Sequence, residues 1–268
     1  MTSVQIFQIF YNEETKSSLD SGFLPLDNAT NPRPDWREYW PIRNFLKSNT
    51  LDDDGLYGFF SPKFRSKTGL SANDCISFIN SQSKSVDVFS FSPFYDLGAF
   101  FQNSFFQAIS QHNNTRDPIE NALKLINPSL EVSEIVMHSN NNIFCNFFVA
   151  KQKFWKIWLE NCELLWAECE SNISPLAKKL NAFAEGHDSP APIKTFVIER
   201  MASLLLATNK TWNVAAYDPF KLPFSNARIS HEKSALIQMD ALKIAYSNQI
   251  RPEYLNLFKY IAEVISKK

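Results

Sequence analysis

The stretch that decides the fold is Val4-Gln5-Ile6-Phe7-Gln8-Ile9-Phe10-Tyr11, near the start of the chain. It is a short, largely apolar and β-branched run that ends at Asn12-Glu13-Glu14, which is typical of a strand buried on both faces of a sheet. Three later runs have a similar character, and we predict strands at 56–62, 86–93 and 142–150.

Helical patterns separate and follow these strands. The longest is 152–170, where Phe154, Trp158, Cys162 and Leu165 recur at helical spacing. Further helices are predicted at 36–46, 71–80, 95–111, 119–125, 193–206, 232–247 and 252–266. The alternation predicts an α/β fold: one domain over 1–268, with a central, mostly parallel sheet, helices on both faces and a helical carboxy-terminal part over about 207–268.

The composition excludes several classes of protein. The 268 residues include 24 Phe but only 6 Gly, where average usage of about 7% would give about 19. No two glycines have the spacing of a dinucleotide fingerprint or a phosphate-binding loop. The formal net charge of −1 leaves no basic surplus for binding nucleic acid. The four cysteines form no CxxC motif, and the histidines have no zinc-site spacing.

No targeting signal or membrane span is visible in the sequence. The amino terminus lacks the charged and apolar regions of a signal peptide, and no stretch approaches about 18 apolar residues. We therefore predict a cytoplasmic protein without a transmembrane segment. Peripheral contact with the inner face of the membrane is compatible with this prediction.

Polar residues follow three of the predicted strands, at Tyr11-Asn12-Glu13, Ser61-Pro62-Lys63 and Ser90-Phe91-Ser92. Ligands of open α/β sheets bind beyond the carboxyl ends of the strands, so these residues indicate a polar cleft. The alternative is that the strands simply end in turn residues. The rings that we expect nearest to a ligand flank these turns: Phe60, Phe64, Phe91 and Phe94.

Two charged segments also point to a site. Segment 31–43 holds three arginines, two carboxylates and three Trp or Tyr rings, which suit a phosphate and a base or sugar, or else a surface helix with internal ion pairs. In it, Asp35 and Glu38 predict a capping box for the helix at 36–46. The pair Glu199-Arg200 interrupts an apolar helix, so it either faces a polar cleft or forms a structural ion pair.

Two blocks carry a family resemblance: Phe-Cys-Asn-Phe-Phe-Val-Ala-Lys-Gln-Lys-Phe-Trp at 144–155, and Thr-Phe-Val-Ile-Glu-Arg-Met-Ala-Ser-Leu-Leu-Leu at 195–206. They resemble the acceptor-side half of bacterial GT-A-type glycosyltransferases of capsule and lipopolysaccharide synthesis. There an N-x-F-V-x-(K/R) strand leads into an aromatic helix, and an E-R helix closes the site. Glu38-Tyr39-Trp40 and the block at 57–62 fit the amino-terminal half, so the resemblance covers 4–206 in short blocks.

The resemblance implies a GT-A-like domain that transfers a sugar from a nucleotide-sugar donor to a carbohydrate acceptor. Glu199 would be the inverting general base, and Tyr11 and Asn12 would meet the nucleotide. Three cations would offset the charge of the diphosphate: Arg33, Arg43 and Lys63. The remaining predicted binding residues are Glu38, Ser61, Ser90, Ser92, Asn146 and Arg200.

The sequence departs from the family in its metal motif. The family's Asp-x-Asp motif, which holds a divalent cation, does not follow the strand at 86–93. The sequence therefore assigns no metal ligand and no resident cofactor. Two other functions stay open, namely a non-catalytic module that binds carbohydrate or nucleotide, and a scaffold that presents its Phe residues to a partner.

Overall fold

One mixed sheet forms the centre of the computed structural model, which describes residues 3–186 and 190–267. Its strands are β1 (Val4–Phe10), β2 (Leu24–Asp27), β3 (Leu56–Phe60), β4 (Val88–Ser90), β5 (Phe148–Lys151) and β6 (Val214–Ala216). Their order is β2-β1-β3-β5-β4-β6, and only β5 runs against its two neighbours. The amino end of β5 therefore lies at the same edge as the carboxyl ends of the others.

Thirteen α-helices accompany the sheet in the described residues. They are α1 (Glu13–Ser17), α2 (Tyr39–Ser48), α3 (Phe64–Thr68), α4 (Ala72–Ser81), α5 (Tyr95–Phe100), α6 (Ser104–Gln111), α7 (Arg116–Ile126), α8 (Gln152–Ser171), α9 (Pro175–Asn181), α10 (Ile193–Glu199), α11 (Met201–Thr208), α12 (Lys233–Gln249) and α13 (Pro252–Ser266). The predicted α/β class is confirmed. No helix of these residues is both long and apolar enough to span a membrane.

Alternate strand residues supply two cores, one on each face of the sheet. Phe7 and Phe59 belong to the larger core, which packs under α8 and its neighbours. Ile6 and Phe60 belong to the smaller core, which packs under α4. This two-sided burial follows from the period of two along a strand. Helices on both faces, as predicted, cover the sheet.

The predicted strand at 142–150 is too long at its amino end. Cys145 and Asn146 have φ angles of 62° and 54°, in the left-handed region, so an extended strand begins only at Phe148. The predicted carboxy-terminal part over 207–268 is not wholly helical, because 214–216 pair with β4 as β6. Strand β2 was not predicted either, since it holds only four residues and includes Pro25.

Three predicted helices have different bounds or breaks. The helix at 95–111 is two helices, α5 and α6, separated by extended backbone at Phe101 and Asn103. The helix at 193–206 is also two, with Arg200 between α10 and α11. The predicted capping box at 36–46 is absent: α2 begins at Tyr39, and Asp35 pairs instead with Arg33 and Lys194.

Candidate functional site

A cavity of about 790 Å³ opens at the edge of the sheet where β1, β2 and β3 end and β5 begins. Tyr11 follows β1, Asn28 follows β2, and the segment Ser61–Lys63 follows β3. Asn146 reaches the same edge because β5 is antiparallel. The volume lies within the range of about 300–1,000 Å³ that small-molecule sites occupy.

The cavity brings together half of the predicted site residues, which come from five separate parts of the chain. They are Tyr11, Glu38, Ser61, Lys63, Asn146 and Glu199. The other predicted residues lie elsewhere, and each has a local structural partner.

The two predicted phosphate-binding arginines form ion pairs away from the cavity. Arg33 donates to both carboxylate oxygens of Glu170, at 2.6 Å each, and to Asp35 at 3.0 Å. Arg43 donates to Glu163 at 2.5 and 2.9 Å. Although burial acts in the opposite direction, hydrogen bonds from Arg43 and its neighbours lower the pKa of Glu163 to about 2. These guanidinium groups therefore tie α2 and the segment before it to α8.

Asn12, Ser90 and Ser92 also lie outside the cavity lining. The Asn12 side chain caps α1 by accepting from the Thr15 backbone N–H at 2.8 Å. Ser90 is buried in the β4–β5 and β4–β6 pairings. Ser92 accepts from the backbone N–H of Phe144 at 2.9 Å, beside a second, much smaller depression. Their local hydrogen bonds explain why turn residues follow these strands.

Arg200 is buried against backbone and amide oxygens, although it adjoins Glu199 in sequence. Its guanidinium donates to the carbonyls of Ser104 (2.7 Å) and Phe196 (2.9 Å) and to Oε1 of Gln107 (2.7 Å). It thereby holds α6 against α10 at the point where the helix breaks. Its nearest contact with the Glu199 carboxylate is 4.0 Å, so the two charges form only a long ion pair.

The Glu199 carboxylate lies at the end of α10 and faces the cavity, with 46% of its side chain exposed there. Burial raises the pKa of Glu199 above its usual value. The negative charge of nearby Glu38 acts in the same direction, against the attraction of Arg200. A carboxylate with a raised pKa beside open space is suited to accept a proton.

A lysine that the sequence analysis did not assign to the site supplies positive charge near these carboxylates. Lys67, in α3, lines the cavity and donates to the Cys145 sulfur at 3.1 Å. Partial burial by itself lowers the pKa of Lys67. The Cys145 sulfur and the Glu199 carboxylate together raise it more strongly, so the pKa of Lys67 lies above its usual value. Lys63, one turn earlier, lines the cavity from a more exposed position. The pair Lys63 and Lys67 therefore forms a cationic side of the cavity.

Asn146 is the most constrained group of the lining. It is 4% exposed, its backbone is left-handed, and its Oδ1 has no hydrogen-bond partner among residues 3–186 and 190–267. Buried polar atoms are normally paired, and strained backbone concentrates at binding and catalytic sites. The resemblance placed Asn146 in a strand, whereas the turn before β5 is what brings it to the cavity.

Other lining residues could not be found from the sequence. Asn28 and Asn31 contribute amides beyond the unpredicted strand β2, and the Asn28 amide donates to Asn31 Oδ1 at 3.3 Å. Arg37 has a φ of 50° and donates to the Pro190 carbonyl at 2.6 Å, which joins two walls of the cavity. Segment 31–43, which the sequence singled out as a whole, contains Asn31 and Arg37, but nothing in its pattern set them apart from Arg33 and Arg43, and no signal marked Asn28.

The rings near the cavity differ from those expected. Phe60, Phe64 and Phe91 are fully buried in the smaller core. Phe94 borders the small depression beside Ser92. The aromatic side chains that line the large cavity are instead Tyr11, Phe183 and Phe196.

No group of three or more His, Cys, Asp or Glu side chains that could hold a metal ion occurs within 3–186 and 190–267.

Comparisons with protein-family models, curated proteins and solved structures find no match to this chain. A function is therefore inferred from the geometry of the cavity and from the sequence blocks at 144–155 and 195–206.

Proposed function

We propose that this chain is a glycosyltransferase that moves a sugar from a nucleotide-sugar donor to a hydroxyl of a carbohydrate acceptor. The observation that carries the proposal is Glu199, a carboxylate of raised pKa that faces a cavity of nucleotide-sugar size at the ligand edge of an α/β sheet. The likeness of the blocks at 144–155 and 195–206 to GT-A-type enzymes of surface polysaccharide synthesis supports the same activity.

The proposed chemistry is a single displacement at the anomeric carbon. Glu199 accepts the proton of the acceptor hydroxyl while the acceptor oxygen forms a bond to the anomeric carbon. The bond from that carbon to the phosphate oxygen breaks, and the nucleoside diphosphate leaves with the electron pair. A base with a higher pKa has a larger driving force for accepting the proton than an ordinary glutamate has. The raised pKa of Glu199 suits this role.

The leaving diphosphate needs positive charge near it. Lys63 and Lys67 lie on the strand-end side of the cavity and would offset this charge, in place of the arginines that the sequence suggested. Asn28 and Asn31, beyond β2, supply amide groups of the kind that recognise a nucleoside. Tyr11 and Glu38 line the same cavity, where Tyr11 would meet the nucleotide, as the resemblance implies.

The proposal is tested by transfer and hydrolysis assays with a panel of UDP-, GDP- and CMP-sugars, run with and without Mn²⁺. We expect turnover of at least one donor, and Glu199→Gln should lower kcat by about 10²–10⁴-fold, the usual contribution of a general base. The matched control is Glu134→Gln, an exposed glutamate outside the cavity lining, which should leave kcat unchanged.

Two outcomes would count against the proposal. Donor binding without any turnover would favour the non-catalytic binding module. Turnover that survives Glu199→Gln would remove Glu199 as the base, and Glu38→Gln would then show whether the second cavity carboxylate carries that role.

A further inference from the structure

One part of the cavity lining comes from a segment that the sequence analysis did not assign to the site. Phe183 follows α9 and pairs with Pro192 through a β-bridge. The Ala184 N–H donates to the Ala191 carbonyl at 2.9 Å, which continues this pairing. The backbone on both sides of Phe183 is therefore held in a small antiparallel ladder.

The side chain of Asn114 fixes the same segment from behind. Its Nδ2 donates to the Phe183 carbonyl at 2.8 Å, and its Oδ1 accepts from the Glu185 N–H at 3.0 Å. These contacts hold the Phe183 carbonyl and the Glu185 N–H without using the Phe183 ring. The ring is 60% exposed and lines the cavity.

An exposed aromatic ring on a fixed backbone is unusual in this chain, whose other phenylalanines mostly fill the two cores. A rigid ring beside a cavity provides a flat apolar surface at little entropic cost on binding. The apolar face of a pyranose ring and the face of a nucleobase both fit such a surface, so the surroundings must distinguish them.

The surroundings of Phe183 favour a sugar. Among the described residues beside it, Pro190, Ala191 and Pro192 line the cavity with apolar side chains, and the guanidinium of Arg37 is engaged by the Pro190 carbonyl at 2.6 Å. The amides of Asn28 and Asn31 lie beyond β2, on the strand-end side with the lysines.

Helix α10 links this part of the lining to the proposed base. It begins directly after Pro192 and ends at Glu199. Thr195 and Glu199 are four residues apart and both line the cavity, so a hydroxyl and a carboxylate lie one turn apart on one helix face. A sugar resting on Phe183 would thus have polar groups along α10 within the same cavity.

We propose that Phe183 is the acceptor platform: the acceptor carbohydrate stacks one face of a pyranose ring on it and directs a hydroxyl toward Glu199. This inference rests on the proposed function, because it assigns the donor to the strand-end side of the same cavity. It makes Phe183 a specificity-determining residue for the acceptor and not for the donor.

The test is binding without turnover, measured by ligand-observed NMR titration. The probes are methyl glycosides of glucose, galactose, mannose and N-acetylglucosamine, and, separately, UDP, GDP and CMP. We expect at least one glycoside to bind the wild-type chain and Phe183→Ala to weaken it about 3- to 10-fold, the effect of losing a ring contact. Phe183→Tyr should retain binding, and nucleotide affinity should stay unchanged in both variants.

Tyr260→Ala is the matched control, because Tyr260 is 64% exposed on α13 and does not line the cavity. The inference is overturned if no glycoside binds the wild type, if Phe183→Ala leaves glycoside affinity unchanged, or if it weakens the nucleotides instead. Failure of the proposed function gives a different pattern, in which no nucleotide binds and no donor is turned over while glycoside binding still depends on Phe183.

Discussion

Glu199 and Arg200 adjoin each other in sequence but meet opposite environments. Arg200 is enclosed by oxygen atoms of α6 and α10, whereas Glu199 faces open space in the cavity. The break between α10 and α11 turns the two side chains apart. From the sequence, a charged pair within an apolar helix predicts either a polar cleft or a structural ion pair. The break in the backbone determines that Arg200 has the structural role and that Glu199 faces the cavity.

We expect Glu199→Gln to make the fold more stable at pH 7, by about 0.5 kcal/mol, because the exposed part of the side chain limits the effect. The folded-state pKa of Glu199 is raised above that of the unfolded chain. The folded state therefore binds more protons in the interval between the two pKa values, and its stability falls as pH rises through that interval. The charge of Glu199 therefore destabilises the fold more at pH 7 than below pH 4.

The measurement is urea unfolding of the wild type and Glu199→Gln at pH 7 and below pH 4. The gain should disappear at the lower pH, where the glutamate is protonated in both states. A Gln variant that is less stable than the wild type at pH 7 would show that the carboxylate is structurally satisfied and not held at a functional cost.

Arg200 should behave as a structural residue. We expect Arg200→Met to lower the free energy of unfolding by about 3 kcal/mol, because three buried acceptors on Ser104, Phe196 and Gln107 would lose their donor. Arg116→Met, in an exposed ion pair with Glu120, should change it by less than about 0.5 kcal/mol. Unchanged unfolding of Arg200→Met would return Arg200 to the list of candidate ligand-binding residues.

At the scale of elements, periodic helices and buried strands were predictable, whereas strands with exposed or half-buried residues were not. Helix α8 was predicted at 152–170 and lies at Gln152–Ser171, since six buried residues mark one face over five turns. Strands β4 and β5 are equally short but consist mainly of buried residues. Strand β2 is largely exposed and includes Pro25, and β6 is only half-buried, so neither shows the buried apolar pattern by which a strand is recognised. The breaks at Arg200 and before α6 follow from tertiary contacts, which local patterns do not contain.

The joint between α12 and α5 contains a buried lysine with a measurable signature. Lys243 is fully buried and donates to the carbonyls of Phe101, at 2.8 Å, and Gly98, at the end of α5. Burial lowers the pKa of Lys243 to about 7. The unfolded chain therefore binds the proton more tightly than the folded chain, and the contribution of Lys243 to stability rises with pH above 7.

We expect the free energy of unfolding of the wild type, minus that of Lys243→Met, to increase by about 2 kcal/mol between pH 7 and pH 9. Taking the difference cancels the other titrating groups. Lys259→Met, at an exposed position of α13, provides the control and should give a flat difference. A flat difference for Lys243→Met as well would mean that this lysine keeps its charge in the fold.

At the scale of the whole molecule, the sequence predicted the α/β class and the ligand edge of the sheet but not the reversed strand. Antiparallel β5 brings its preceding turn, with Cys145 and Asn146, to the carboxyl ends of β1 and β3. Residues that lie 135 positions apart, Tyr11 and Asn146, thereby line one cavity. Pairing of distant strands depends on the whole sheet, so the position of Lys67 and Phe183 could not be read from local patterns.

The proposed position of the donor in the cavity can be tested most directly. In the proposed function, Lys63 and Lys67, with Asn28 and Asn31, would bind a nucleoside diphosphate at the strand ends, and Glu199 and Phe183 would meet the acceptor. The cytoplasmic location inferred from the sequence stays a prediction and does not enter this assignment.

The most direct measurement is a crystal structure of the chain with the nucleoside diphosphate that binds it best. We predict phosphate oxygens within hydrogen-bond distance of Lys63 or Lys67, and a Glu199 carboxylate that is free of the nucleotide and faces the remaining space beside Phe183. A nucleotide bound outside this cavity, or one whose phosphates lie against Phe183 and Glu199, would contradict the account.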